Sequence, residues 1–178
     1  MEDLSLHILD IAENSIGACA KRIEILITRD AGKDRLRVEI NDDGRGMDRV
    51  TLSKVRDPFF TTKGKKTGLG LPFLAQAAEQ AGGEMSVASA PGKGTRVTAT
   101  FQWSNVDRPP LGDMVGTLMT LIAGHPDLDF LYEERDGNRV FRFDTREIRT
   151  ELEDVPINTP PALEAIRRML NEKVIFGT

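Results

Sequence analysis

Disulfides and long apolar runs are both missing from this chain of 178 residues. Its single cysteine, Cys19, cannot form an intramolecular disulfide, so we expect a reducing compartment, the cytoplasm. The N-terminus begins with Met1-Glu2-Asp3 and lacks the basic and then apolar layout of a signal peptide. The longest largely apolar run, residues 114–124, is too short to span a lipid bilayer. No membrane partner is therefore expected.

An excess of positive charge is also missing. The net charge is −4, which argues against a general nucleic-acid-binding surface. Hydrophobic residues make up 39% of the chain and charged residues 29%, as in folded globular proteins rather than disordered ones. The length suits either one domain or a domain of about 100 residues with a small addition.

Two glycine-rich turns bracket a basic loop. The first turn is Asp-Asp-Gly-Arg-Gly at residues 42–46, and the second is Gly-Leu-Gly-Leu at residues 68–71. Between them, Lys63, Lys65 and Lys66 follow a pair of phenylalanines. Glycine lets the backbone approach a ligand closely, and exposed N–H groups can cradle phosphate oxygens. Their order along the chain predicts a nucleotide site with a basic lid.

Hydrophobic periodicity predicts the secondary structure of the first 103 residues. Helical spacing is found over residues 4–16, where His7, Asp10 and Asn14 form a polar stripe. The remaining predicted elements are strands at 21–28 and 35–40, helices at 48–55 and 70–81, and strands at 84–88 and 95–102. This order predicts an α/β (α+β) two-layer sandwich with helices over one face of a sheet.

The residues after 104 are predicted to form a second, smaller α/β unit. Pro109-Pro110 indicates a linker, which divides the chain into domains at 1–104 and 111–178. The second domain is predicted to contain a helix at 111–123, a hairpin at 128–143 and a helix at 161–172. It carries no chemical motif. The apolar face of its first helix could pair two chains or could cover the core of the tail.

Four motifs in the first 103 residues resemble, in order, the boxes of the Bergerat-fold (GHKL) ATPases. That superfamily includes gyrase-type topoisomerases, mismatch-repair ATPases, heat-shock chaperones and the catalytic domains of sensor histidine kinases. The matching segments are residues 7–15 (N box), 42–46 (D-x-G-x-G box), 68–71 (second glycine box) and 92–95 (last box). Asp-Pro-Phe-Phe-Thr-Thr-Lys at 57–63 is similar to the histidine-kinase branch. The resemblance implies a histidine-kinase-like ATP-binding domain that uses ATP and Mg²⁺.

The resemblance implies a role for each box in binding ATP. Asp42 would accept a hydrogen bond from the exocyclic amine of adenine, where guanine has a carbonyl, and Thr95 would support Asp42 directly or through a water. Asn14 would bind Mg²⁺ through its carbonyl oxygen, because this ion takes oxygen ligands and keeps several waters. The other expected ATP contacts are Gly44, Gly46, Met47, Thr61, Thr62, Lys63, Gly68, Leu69 and Gly70.

Asp10 is the candidate catalytic residue. It lies one helical turn before Asn14, where hydrolysing members of the superfamily carry a glutamate that orients water. Aspartate is one methylene shorter, so a catalytic role and a pocket-lining role both stay open, and we expect slow hydrolysis. Three residues after Asn14, the histidine kinases usually carry a lysine and the gyrase-like enzymes an aspartate, but this chain has Gly17. Either the lid lysines replace that contact, or phosphate binding is weaker than in relatives.

The expected function is transfer of the γ-phosphoryl group to a partner protein in trans. We expect no helical hairpin with a phospho-accepting histidine ahead of the predicted domain, and we expect neither His7 nor His125 to be the acceptor. Residues 111–178 are a candidate region for binding the partner. Two alternatives are an ATP-gated protein-binding module, with the anti-sigma kinases as a related precedent, and a slow ATPase without phosphotransfer. The sequence leaves the oligomeric state open.

Overall fold

A computed structural model describes residues 3–55 and 70–176. Within those residues, helices and strands follow one another closely along the chain. They are α1 (Leu4–Gly17), β1 (Arg22–Asp30), β2 (Arg35–Asp42), α2 (Arg49–Lys54), α3 (Gly70–Gln80), β3 (Met85–Ser89), β4 (Thr95–Gln102), α4 (Met114–Gly124), β5 (Asp129–Asp136), β6 (Arg139–Asp144), α5 (Thr145–Leu152) and α6 (Pro160–Lys173).

The strands form one six-stranded sheet in the order β3-β4-β2-β1-β5-β6. All neighbouring strands are antiparallel except β1 and β5, which are parallel. Ile23, Ile25 and Ile27 alternate along β1 and are fully buried, while the residues between them are partly exposed. Helices α1 and α3 pack on this buried face. The predicted two-layer α/β sandwich is therefore confirmed.

The hairpin of β5 and β6 continues the same sheet, because β5 pairs with β1 over eight residues, from Arg22–Asp129 to Arg29–Asp136. Helix α4 packs against α1 and α6, and its buried side chains belong to the same core cluster as those of α1. The apolar face of α4 thus covers a core that both parts of the chain share. The boundary between domains at residues 104–111 stays a prediction.

Helix α4 begins at Met114, three residues later than the sequence predicts. The side chain of Asp113 accepts a hydrogen bond from the N–H of Gly116 at 2.7 Å and so caps the helix. Before the helix, Gly112 has a φ of +75°, which no residue of a right-handed helix adopts. The carbonyl of Leu111 accepts a hydrogen bond from the N–H of Ser5 in α1. A contact distant in sequence therefore sets the start of this helix.

The polar stripe predicted on α1 is partly wrong. Asp10 and Asn14 are exposed as expected, but His7 is buried, with 5% of its surface accessible. Helix α1 packs against both α3 and α4, so its buried surface is wider than one face of the helix. None of the helices in residues 3–55 and 70–176 has the length and apolarity needed to cross a membrane.

Two carboxylates are buried in the hairpin of β5 and β6. Burial by itself would raise the pKa of Asp144, but hydrogen bonds from Arg146 and the charges of Arg146 and Arg22 lower it to about 2. Glu134 accepts a hydrogen bond from the hydroxyl of Tyr132. Burial, and then the charge of Glu134, raises the pKa of Tyr132 well above its usual value. Both carboxylates are thus held by specific donors within the protein.

The other carboxylate oxygen of Glu134 accepts hydrogen bonds from the N–H groups of Ile175 and Phe176. The ring of Phe176 packs against Trp103 at a centroid distance of 6.1 Å. The segment after α6 is therefore fastened to the core side of the sheet.

Candidate functional site

Asp42 is held in place by three donors from separate segments of the chain. It ends β2 and is half-buried. Its Oδ1 atom accepts hydrogen bonds from the N–H groups of Gly44, at 2.9 Å, and Thr95, at 3.2 Å. Its Oδ2 atom accepts one from the hydroxyl of Ser15 at 2.6 Å. These contacts bring together the segments predicted as the N box, the D-x-G-x-G box and the last box.

Ser15 is the contact that the sequence analysis missed. Its side chain lies on the buried side of α1, directly after Asn14, and is 4% exposed. The hydroxyl also lies 3.2 Å from the carbonyl of Ile11, one turn back along the helix. The contact with Asp42 is shorter by 0.6 Å and has a charged acceptor, so the hydroxyl donates its hydrogen bond to Asp42. A helical serine gives no local signal of such a distant partner.

Thr95 supports Asp42 directly, through its backbone N–H group. Its hydroxyl instead lies 3.0 Å from the hydroxyl of Ser89, the last residue of β3. Ser89 also contacts the carbonyl of Gly94 and accepts a hydrogen bond from the N–H of Met47, both at 2.9 Å. Ser89 is a second residue that the sequence analysis did not single out, and it ties the loop after Asp42 to the turn before β4.

Three glycines allow the loops around Asp42 to pass very close to each other. A Cβ atom on Gly44 would lie 2.9 Å from the carbonyl oxygen of Ala18. Gly46 has a φ of +69°, and a Cβ atom there would lie 1.9 Å from the carbonyl oxygen of Ala90. Gly94, with a φ of +72°, would bring a Cβ atom within 1.8 Å of the carbonyl oxygen of Asp42. No other residue fits these positions without moving the backbone.

Asp10 and Gly70 lie against each other. Gly70 begins α3, and a Cβ atom on it would lie 2.9 Å from the Cβ atom of Asp10 and 3.4 Å from its Oδ2 atom. The first N–H groups of a helix have no partner within the helix, so this end of α3 suits an anion such as a phosphate. Asn14 is exposed on α1, one turn beyond Asp10. The predicted catalytic and magnesium residues therefore lie on the helix that contacts the start of α3.

Several predicted site residues lie outside the part of the chain that the structure describes. They are Thr61, Thr62, Lys63, Gly68 and Leu69. Their contacts with phosphate stay predictions, as does the placing of the half-buried Met47 at the floor of the pocket. In residues 3–55 and 70–176, no three His, Cys, Asp or Glu residues are grouped to hold a metal ion. A magnesium ion here would need phosphate oxygens and water in addition to Asn14.

Comparisons with known proteins identify the family of this chain. A model of the family described as histidine kinase-, DNA gyrase B- and HSP90-like ATPase matches residues 2–105. The sensor protein kinase FleS of Pseudomonas aeruginosa is 40% identical over 91 residues, which are 51% of this chain and 23% of that protein. The sensor histidine kinase ZraS of Escherichia coli O157:H7 is 32% identical over 109 residues, or 61% of this chain and 24% of that protein.

The chain thus spans about a quarter of the length of these curated relatives. Among solved structures, the crystal structure of the N-terminal domain of a DNA repair protein is similar, with a TM-score of 0.57. The matched region is 80% of this chain and 52% of the solved chain, and the two are 16% identical in sequence. That likeness shows the fold alone.

Proposed function

This chain belongs to the family of histidine kinase-, DNA gyrase B- and HSP90-like ATPases, and on that basis we propose that it binds Mg-ATP and transfers the γ-phosphoryl group to a separate protein. The resemblance to the Bergerat-fold ATPases is confirmed by the match over residues 2–105. The observation that carries the proposal is Asp42, whose carboxylate is oriented by Ser15, Gly44 and Thr95. An acceptor fixed in this way suits an adenine amine.

The residues around Asp42 fit a nucleotide and its metal ion. Oδ2 of Asp42 takes one hydrogen bond from the protein, which leaves a lone pair for the adenine amine. Gly44 brings backbone rather than a side chain to the edge of this acceptor. Asn14 would hold Mg²⁺, which when bound neutralises charge on the phosphates. Since phosphoryl transfer is catalysed mainly by positioning and charge neutralisation, few further groups are needed.

Of the two histidines of the chain, His7 is placed unfavourably for accepting a phosphoryl group. His7 is buried, so its ring is closed to a phosphoryl group that arrives from the solvent side. His125 lies at the end of α4, where its Nε2 atom is 3.3 Å from Oε1 of Glu13. The names of the similar FleS and ZraS proteins describe sensor kinases, which favours a signalling protein as the acceptor. The proposed compartment is the cytoplasm.

Slow ATP hydrolysis is the second candidate, and the position of Asp10 favours it. Its carboxylate lies beside the start of α3, where phosphates are expected, so it could orient a water molecule. Aspartate reaches less far than glutamate, and hydrolysis should be slower than in dedicated ATPases. The third candidate, an ATP-gated binding module, would bind a partner in a nucleotide-dependent way without transferring phosphate.

A labelling experiment separates these functions. The purified full chain is incubated with γ-labelled ATP, Mg²⁺ and cell extract, and labelled proteins are identified. We expect label on a partner protein, and lability of that label in acid would indicate phosphohistidine. Release of labelled phosphate without any labelled protein would favour the ATPase. Nucleotide-dependent association with no label would favour the binding module.

Variants of Asp42 and Asn14 test the site itself. We expect Asp42→Ala and Asn14→Ala to lose at least about 1.5–3 kcal/mol of Mg-ATP binding free energy, since each removes a contact to a charged or metal-bound group. Asn41→Ala is the matched control, because Asn41 neighbours Asp42 on β2 but contacts Arg96 on the other face of the sheet. Normal Mg-ATP binding by either site variant, measured by calorimetry, would show that the site is assigned wrongly.

A further inference from the structure

Helix α1 begins with hydrogen bonds to the segment 110–125, which starts at the last residue of the predicted linker. The N–H group of Leu4 donates to the carbonyl of Pro110, and that of Ser5 to the carbonyl of Leu111, both at 2.9 Å. The first N–H groups of a helix have no acceptor within it, so these two carbonyls act as a cap from a distant part of the chain. The start of α1 is therefore fixed by residues beyond the family match.

Helix α4 then runs alongside α1 in the same direction. At one end, the hydroxyl of Thr117 donates to the carbonyl of Ser5 at 3.4 Å. At the other, Nε2 of His125 lies 3.3 Å from Oε1 of Glu13. The two contact points are eight residues apart on α1, from Ser5 to Glu13, and eight apart from Thr117 to His125. At the rise of a helix, the contacts are therefore separated by about 12 Å. The segment 110–125 therefore holds α1 near both ends.

The helix that is held in this way carries three residues of the proposed site. Asp10 contacts Gly70, Asn14 is the proposed magnesium ligand, and Ser15 donates to Asp42. Glu13, the partner of His125, directly precedes Asn14. A displacement of α1 would change the spacing between Asn14 and Asp42, which is the spacing between the phosphate and adenine ends of a bound nucleotide.

We propose that the segment 110–125 is a positioning element of the nucleotide site, which sets the affinity for the Mg-triphosphate part of ATP by fixing α1. This proposal rests on the proposed function. Thr117 and His125 are positioning residues in it, because neither touches the nucleotide. The adenine end is less sensitive, since loss of the Thr117 and His125 contacts removes none of the three donors to Asp42, which are Ser15, Gly44 and Thr95.

Calorimetry on the full chain tests this with the double variant Thr117→Val/His125→Ala, which removes both side-chain contacts to α1. We expect Mg-ATP affinity to fall roughly three- to tenfold, as for the loss of one or two hydrogen bonds, and adenosine affinity to change less than about twofold. Thr120→Val is the matched control, because Thr120 is exposed on the same helix and donates to Gly116 of its own helix. It should leave both affinities unchanged.

Two results would overturn the proposal. One is a double variant that binds Mg-ATP within about twofold of the unmodified chain. The other is an equal fall for Mg-ATP and adenosine, which would indicate a loss of general stability. If the unmodified chain binds Mg-ATP and the double variant binds it equally well, only the positioning proposal fails. If the unmodified chain does not bind Mg-ATP, the proposed function fails as well.

Hydrogen exchange of the unmodified chain gives an independent measurement if the double variant does not fold. Coupling between two sites is reciprocal, so Mg-ATP must stabilise the contacts that favour its binding. We expect saturating Mg-ATP to slow amide exchange at Leu4 and Ser5, whose acceptors are the carbonyls of Pro110 and Leu111, and adenosine to slow it less. Equal exchange rates at these amides with and without Mg-ATP would overturn the proposal.

Discussion

Ser15→Ala removes the hydroxyl that orients one oxygen of Asp42. The bond it breaks is 2.6 Å long and joins α1 to the end of β2. In the variant, the Oδ1 atom of Asp42 keeps its two backbone donors, Gly44 and Thr95, while Oδ2 loses the donor that Ser15 supplies. The carboxylate then gains freedom that adenine binding must remove, so we expect weaker binding of every adenine ligand.

The size of the effect follows from the charge and exposure of Asp42. A hydrogen bond to a charged group contributes about 1.5–3 kcal/mol net. Because Asp42 is half-buried and keeps two donors, about 1–2 kcal/mol is expected, which corresponds to roughly 5- to 30-fold weaker binding. Isothermal titration calorimetry with adenosine, ADP and Mg-ATP measures this. The same factor is expected for all three ligands, since only the adenine end is disturbed.

A matched control separates this effect from general damage to the fold. Ser53→Ala removes a hydroxyl from α2 that is exposed and donates to the carbonyl of Val50 within its own helix, so it should change no affinity. Thermal unfolding of each variant reports its stability. A well-folded Ser15→Ala variant that binds adenosine as tightly as the unmodified chain would refute the assignment of Asp42 to the adenine amine.

Three further predictions concern stability. Gly46→Ala should lower the free energy of unfolding by at least about 2–3 kcal/mol more than Gly92→Ala in denaturant melts, because both glycines have positive φ but only Gly46 would meet a carbonyl oxygen; equal losses would contradict this. Asp144→Asn should destabilise the protein by about 1–2 kcal/mol at pH 7. That difference should vanish as the pH falls from about 4 to about 2, because Arg146 lowers the pKa of Asp144 only in the folded state; a gap that persists at pH 2 would exclude this cause. Tyr132, the only tyrosine, has a raised pKa in the folded state, so stability should fall as pH rises above about 10. Absorbance at 295 nm should then show Tyr132 ionising together with unfolding, and ionisation of the intact fold near pH 10 would contradict its burial.

Local patterns predicted most of the elements in the described residues. Alternating Ile23, Ile25 and Ile27 indicated β1, and the helix predicted at 48–55 is found as α2, which Asp48 caps through its side chain. Positions that need glycine were also visible, because Gly44 and Gly46 stand in a short motif directly after a strand. These signals depend only on neighbours within a few residues, so the sequence contains them in full.

Contacts between distant residues could not be predicted in this way. The parallel pairing of Ile25 with Tyr132 joins strands far apart in the chain, and nothing in either strand specifies its partner. Ser15 looks like any helical serine until β2 brings Asp42 to it. The burial of His7 has the same origin, since α3 and α4 together cover more of α1 than its apolar stripe indicates.

The pairing of β1 with β5 also has a consequence during protein synthesis. Until β5 leaves the ribosome, β1 is the edge of an unfinished sheet, with a row of unpaired backbone groups beside its isoleucines. From Asp30 to Asp129 the ribosome adds 99 residues, which takes roughly 5–20 s at usual translation rates. We expect nascent chains halted before residue 129 to be held by chaperones that bind apolar strands, and chains halted well after residue 136 to be released.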